Sequence, residues 1–189
     1  AFVTPGHEEI ELALVKLYRC TNEKRYLDLA KFFIDNRGSN SKDQYGSWAN
    51  SRYTQSHLPV RQQTTAEGHA VRAVYLYSGM ADLAYEYDDK TLFNACRTIF
   101  DNIVQKRMYI TGGIGSSAQG EAFTIDYDLP NLTAYSESCA AIGLVLFAKR
   151  MMRCDNEDAV YADIIERVIY NGFLSSISLD GKSFFYENP

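Results

Sequence analysis

Residues 120–140, GEAFTIDYDLPNLTAYSESCA, carry two carboxylates and a thiol on a stretch with no regular periodicity until its end. A glutamate such as Glu121 can give or take a proton, and a cysteine can serve as nucleophile or metal ligand once it is a thiolate. A single loop carboxylate is more simply read as solvated. Glu137 and Cys139 are two apart, a spacing that faces different ways on a regular helix. They converge on one ion only where the chain is just entering a helix. Two ligands are also too few for zinc, which takes three or four, so spacing alone leaves Cys139 as a small buried residue. Two of the three histidines follow a glycine, in PGHEE and EGHAV, at Gly6-His7 and Gly68-His69. Their matching placement favours ligand contact over a structural role. The glycines of ITGGIGSSAQGE resemble a phosphate loop, but a helix precedes them and Glu121 stands where a lysine is needed.

The elements that must hold these groups read as helices nearly throughout. The spacing predicts helices over about 7–20, 23–37, 67–86, 90–107, 135–152 and 157–176, and a short strand in KSFFYENP. Three segments, TNEKRYLDLAKFFID, YDDKTLFNACRTIFD and CDNEDAVYADIIERV, repeat one pattern. Asn22, Asp88 and Asp155 mark the predicted starts of their helices, 88 − 22 = 66 and 155 − 88 = 67 residues apart. Each repeat is a helical pair. The third and fifth helices are apolar on nearly every side, so they are expected to be buried all round. The second, fourth and sixth carry one apolar stripe and a charged face. Alternating inner and outer helices predict an all-α fold of hairpin repeats, a single partial domain over 1–189 forming about half of an (α/α)6 barrel, with a short C-terminal β segment. An α-solenoid is the rival layout. Short turns link inner to outer helices. Long connections, about 38–66 and 108–134, lead back to the inner ones, so both long loops and His7, His69, Glu137 and Cys139 are expected at one rim.

Composition narrows the classes. The net charge of −5, from 19 basic and 24 acidic residues, and the lack of a basic patch argue against nucleic acid. No apolar run reaches the length of a membrane span. Four cysteines without a CxxC pair do not make a disulfide framework and favour a reducing, cytoplasmic compartment. The 14 tyrosines are read first as core packing. The chain begins AFVTPGHEE without a methionine, which is expected of a chain whose true N-terminus lies further upstream.

Four stretches together carry a family resemblance: PGHEEIELALVKLYRCTNEKRYLDLAKFFIDNRG, EGHAVRAVYLYSGMADLA, YITGGIGSSAQGEAFTIDYDLPNLTAYSESCAA and IYNGFLSSISLDGKSFFYENP. The chain resembles the glycoside hydrolase family of β-L-arabinofuranosidases, family 127, over nearly its whole length. The resemblance implies an (α/α)6 barrel and retaining hydrolysis of L-arabinofuranoside-type substrates by a zinc-bound cysteine thiolate. It implies that Glu121 is the general acid/base, that Glu137 and Cys139 are two zinc ligands, and that His7 and His69 contact the sugar. The family's remaining ligands, its nucleophile included, come from a Cys-Cys pair downstream of YENP. The chain therefore reads as a central fragment of the barrel, expected to be inactive alone and to expose inner-helix surface that could self-associate. Two other readings stand beside it: a different α/α-barrel sugar enzyme of epimerase or lyase type, with Glu121 acting beside a histidine, and a non-enzymatic helical-repeat scaffold.

Overall fold

The computed structural model describes residues 4–39 and 50–188. Part of the first long loop, residues 40–49, lies outside the described residues. Six α-helices are present among them: α1 (Ile10–Thr21), α2 (Lys24–Asn36), α3 (Ala70–Tyr87), α4 (Lys90–Lys106), α5 (Ser138–Cys154) and α6 (Val160–Arg167). α6 runs on through a π-helical turn over Val168–Phe173 and a 3-10 turn over Leu174–Ser176. The helices α1 and α2, α3 and α4, and α5 and α6 pair as hairpins, and α3 also packs between α1 and α5. The odd-numbered helices thus form one layer, and α2 and α4 sit over the seams between them.

The inner helices all begin later than their apolar periodicity. The expected starts at 7, 67 and 135 become Ile10, Ala70 and Ser138, a delay of three residues each. Gly68 at φ +71 and Ser136 at φ +45 hold the chain out of the right-handed helix just upstream of α3 and α5. The three freed triplets carry His7, His69 and Glu137.

The helix-start residues need correction. Asn22 and Asp88 do not start helices; they close α1 and α3 in the left-handed conformation, at φ +56 and +49. Asn and Asp tolerate that region better than other side chains. The capping side chain of α4 is Asp89, whose Oδ1 accepts from the backbone N–H groups of Thr91 and Leu92. Asp155 likewise follows the end of α5, and Asp158 accepts from the N–H of Val160.

The core supports the layer assignment with one refinement. Tyr77, Phe147, Phe100 and Tyr161 link α3, α5, α4 and α6 through ring contacts of 5.6, 5.5 and 5.0 Å. Gly143 of α5 lets α3 close in: a Cβ there would meet Val74 Cγ2 at 2.3 Å. α3 is buried over most of its length, as expected of an inner helix flanked on both sides. α5 is not buried all round, since Ile142 is exposed and Val145 and Leu146 line an apolar groove with Ile169, Phe173 and Leu174.

No strand forms at the C-terminus among the described residues. Ile177 and Phe184 make one isolated antiparallel bridge across a turn. The strand-like segment spends its backbone groups elsewhere. Phe185 N–H bonds to Ser176, the N–H of Ser138 donates to Tyr186 O, and Asn188 N–H donates to Tyr135 O. No described helix is long and apolar enough to cross a membrane, and all four cysteines are free thiols.

Candidate active site and metal-binding group

Three loop segments meet where α1, α3 and α5 begin. His69 occupies the N-cap of α3, and its Nδ1 accepts from the backbone N–H of Arg72 at 3.2 Å. That bond assigns the imidazole proton to Nε2, which donates to Glu121 Oε2 at 2.8 Å. The backbone repeats the link: Ala70 N–H donates to Glu121 O and Phe123 N–H to Gly68 O, both at 2.9 Å. The Glu121 loop is thereby laced onto the start of α3. Glu121 itself sits at φ +51, a strained position for a residue with a side chain.

The other oxygen of Glu121 is held too. Tyr135 donates its hydroxyl to Oε1 at 2.6 Å. The Tyr135 hydroxyl and the His69 N–H keep Glu121 below the usual carboxylate range, although its partial burial pulls the other way. Burial, then the same contact, pushes the Tyr135 phenol up. The Tyr186 phenol is raised as well, by the neighbouring Glu137 carboxylate first and then by burial.

Glu137 is the N-cap residue of α5, yet its side chain caps nothing. It is 4% exposed, and its Oε2 has no hydrogen-bond partner. A buried carboxylate oxygen without a donor is costly and calls for a cation or proton. Cys139 follows in the first turn. Burial, then the neighbouring Glu137 carboxylate, pushes its thiol up to about 11. Glu137 and Cys139 are therefore adjacent at the one place on a helix where residues two apart can converge. Ligand atoms of His69, Glu121 and Glu137 also lie within 4.8 Å of one another. Imidazole, carboxylate and thiol are all zinc-type donors, so the residues present fit a metal ion. Glu121 and His69 already satisfy each other, whereas Glu137 Oε2 is open.

His7 completes the wall. Its ring lies edge-on to His69 at 5.9 Å and to Tyr75 at 6.4 Å. Burial, then Arg72, lowers its pKa, so it is neutral near pH 7 and can both donate and accept. Tyr53 packs against His69 from the other side at 5.5 Å. All five residues expected at the rim, His7, His69, Glu121, Glu137 and Cys139, lie around this mouth. His57 carries no part of it. The tyrosines at 53, 75, 135 and 186 and Arg72 were not expected there. Only the excess of tyrosine pointed to them, and that excess is equally explained by core residues such as Tyr77 and Tyr161.

Comparison with known proteins agrees with the sequence resemblance. The family model described as β-L-arabinofuranosidase, GH127 catalytic domain, matches residues 1–189. The chain is 44% identical over 197 residues to the non-reducing end β-L-arabinofuranosidase of Bifidobacterium longum subsp. longum, covering 97% of this chain and 30% of that protein. A solved GH127 β-L-arabinofuranosidase from Geobacillus stearothermophilus T6 superposes with a TM-score of 0.93 at 49% identity, over 98% of this chain and 31% of the other. A second solved GH127 β-arabinofuranosidase gives a TM-score of 0.91 at 53% identity, over 98% and 28%. The chain thus spans about a third of the length of these relatives or less.

Proposed function

The chain belongs to the GH127 β-L-arabinofuranosidase catalytic-domain family, and from that premise we propose that it is a central part of an (α/α)6 barrel in a zinc-dependent, retaining glycosidase for β-L-arabinofuranosides. Its three hairpins supply about half the ring. The observation that carries this reading is the gathering of His69, Glu121 and Glu137 ligand atoms within 4.8 Å at one mouth, with Glu137 Oε2 buried and unpartnered and Cys139 following it in the first turn of α5.

Glu137 and Cys139 would hold the zinc from this chain, and by resemblance the remaining ligands come from a Cys-Cys pair, which the 189 residues do not contain. Zinc bound there supplies a lowered thiol pKa and a fixed sulfur position. Glu121 moves the protons. Its resting form is the carboxylate, because Tyr135 and His69 both donate to it. That form suits the second half of a double displacement, in which it takes a proton from water. The first half draws on its protonated fraction, which grows as pH falls, to protonate the leaving oxygen. His69 orients the Glu121 carboxylate, and neutral His7 offers a donor and an acceptor to sugar hydroxyls. Tyr53 and Tyr75 give the mouth the aromatic walls that sugar rings pack against.

The test uses the full-length protein carrying this chain, with 4-nitrophenyl β- and α-L-arabinofuranosides. Release from the β anomer alone, abolished by a chelator and restored by zinc, is the expected result. An equal rate in the chelated protein would sink the zinc mechanism. The direct His69–Glu121 bond also favours a second reading, proton abstraction in an epimerase or lyase, with Glu137 and Cys139 structural. In that case Glu137→Ala and Cys139→Ala would keep activity.

A further inference from the structure

Two outer helices end in the same way. Arg37 is the C-cap of α2 and Arg107 the C-cap of α4, and both guanidinium groups are withdrawn from solvent, at 0% and 8% exposure. Each points away from its own helix into the rim. Arg37 Nη2 donates to Pro5 O and Nη1 to Thr54 O, both at 3.0 Å, while Glu8 at 2.7 Å and Glu11 at 3.6 Å balance its charge. Pro5 lies two residues before His7, and Thr54 follows Tyr53. Arg107 Nη1 donates to Ala66 O, beside Glu67 at 3.6 Å, and Nε donates to Asp126 Oδ1 at 2.8 Å. Asn102, one turn earlier, binds the same two points: it accepts from Ala66 N–H and donates to Asp126 Oδ1. Ala66 and Glu67 lead into His69, and Asp126 belongs to the Glu121 loop.

Buried ion pairs of this kind are weak contributors to stability, because desolvation offsets their attraction. They do fix geometry, since a planar guanidinium binds in set directions. We propose that Arg37 and Arg107 are positioning residues for the rim: Arg107 clamps the His69 and Glu121 segments in register, and Arg37 sets His7 and Tyr53 against His69. The two grips act on different groups. Arg107 governs the pair that moves protons, so its loss lowers kcat. Arg37 governs the sugar-contacting wall, so its loss raises KM. The kinetic half of this claim rests on the glycosidase reading; the structural half does not.

The experiment compares Arg107→Lys, Arg37→Lys and the control Arg97→Lys in the zinc-loaded, full-length protein. Arg97 is an exposed residue of α4 that pairs with Asp155 and Asp158. Arg107→Lys should lower kcat at least about tenfold with zinc content unchanged. Arg37→Lys should raise KM several-fold with kcat held, and Arg97→Lys should change neither. Hydrogen exchange by mass spectrometry supplies the arm that needs no activity. Arg107→Lys should speed exchange at 66–70 and 121–127 while 138–150 stays protected. Should that variant fail to fold, Asp126→Ala removes the same acceptor from a part-exposed position and should give the same pattern more weakly. Wild-type kinetics in folded variants, or exchange that is unchanged or uniformly faster, overturns the proposal. A wild type inactive on arabinofuranosides removes the glycosidase reading instead and leaves the exchange result to decide the clamps.

Discussion

At the scale of single residues, the site is built on two carboxylates, Glu121 held by two donors and Glu137 with one oxygen left open. Glu121, Glu137, Cys139, His7 and His69 could be picked out because each sits at a helix start or in a long loop, where side chains are free of packing duties. Tyr135 and Tyr186 could not be picked out. Nothing in their spacing separates them from twelve other tyrosines, and Tyr186 reaches the site only because its segment docks on the start of α5. The consequence of Tyr135 is testable. Its hydroxyl is the foremost cause of Glu121's lowered pKa. Tyr135→Phe removes a donor to the charged form, so the Glu121 pKa rises and its protonated fraction survives to higher pH. In the full-length enzyme the alkaline limb of kcat/KM should shift upward, read from a pH–rate profile. An unmoved limb would mean that Glu121 is not the acid. Cys139→Ser should separately lower zinc content, measured by metal analysis, because a hydroxyl is a poor substitute for a thiolate ligand.

At the scale of elements, the helices were legible and their first turns were not. Periodicity reports which face is apolar, and that pattern runs on into the three residues before α1, α3 and α5 that the backbone keeps out of the helix. The Gly-His repeat shows the difference between its two copies. A Cβ on Gly68 would lie 2.1 Å from Arg52 O at φ +71, whereas one on Gly6 meets nothing within 4 Å. Gly68→Ala should therefore destabilise the chain by on the order of 1–3 kcal/mol or more, and Gly6→Ala by about 0.5 kcal/mol or less, in urea unfolding. The missing strand has a similar local cause: its backbone bonds go to Ser176 and to the start of α5, with no second strand to pair with among the described residues. Between α1 and α2, burial raises Glu8 from 4.5 to about 7, against the pull of Arg37. A raised carboxylate binds its proton more tightly folded than unfolded, so its contribution is full below about pH 4.5 and is lost as pH rises through 7. Wild-type stability should fall more between pH 5 and 8 than that of Glu8→Gln, and parallel losses would refute the assignment.

At the scale of the whole molecule, hairpin order and the two-layer arrangement followed from alternating apolar and amphipathic helices. Closure of a ring does not follow from three hairpins and rests on the family. The chain spans about a third of its relatives or less, and an apolar groove runs along α5 and the turns after α6. With no Cys-Cys pair among its residues, the 189-residue chain alone should release no arabinose from an aryl arabinofuranoside even with zinc added. The central claim is that one carboxylate moves protons while another, with a cysteine, holds the metal. Glu121→Gln in the full-length protein tests it most directly, with zinc content and kcat measured on the same sample. The account predicts wild-type zinc occupancy and a fall in kcat of about 10²–10⁴-fold. A fully metallated variant turning over at the wild-type rate would contradict it.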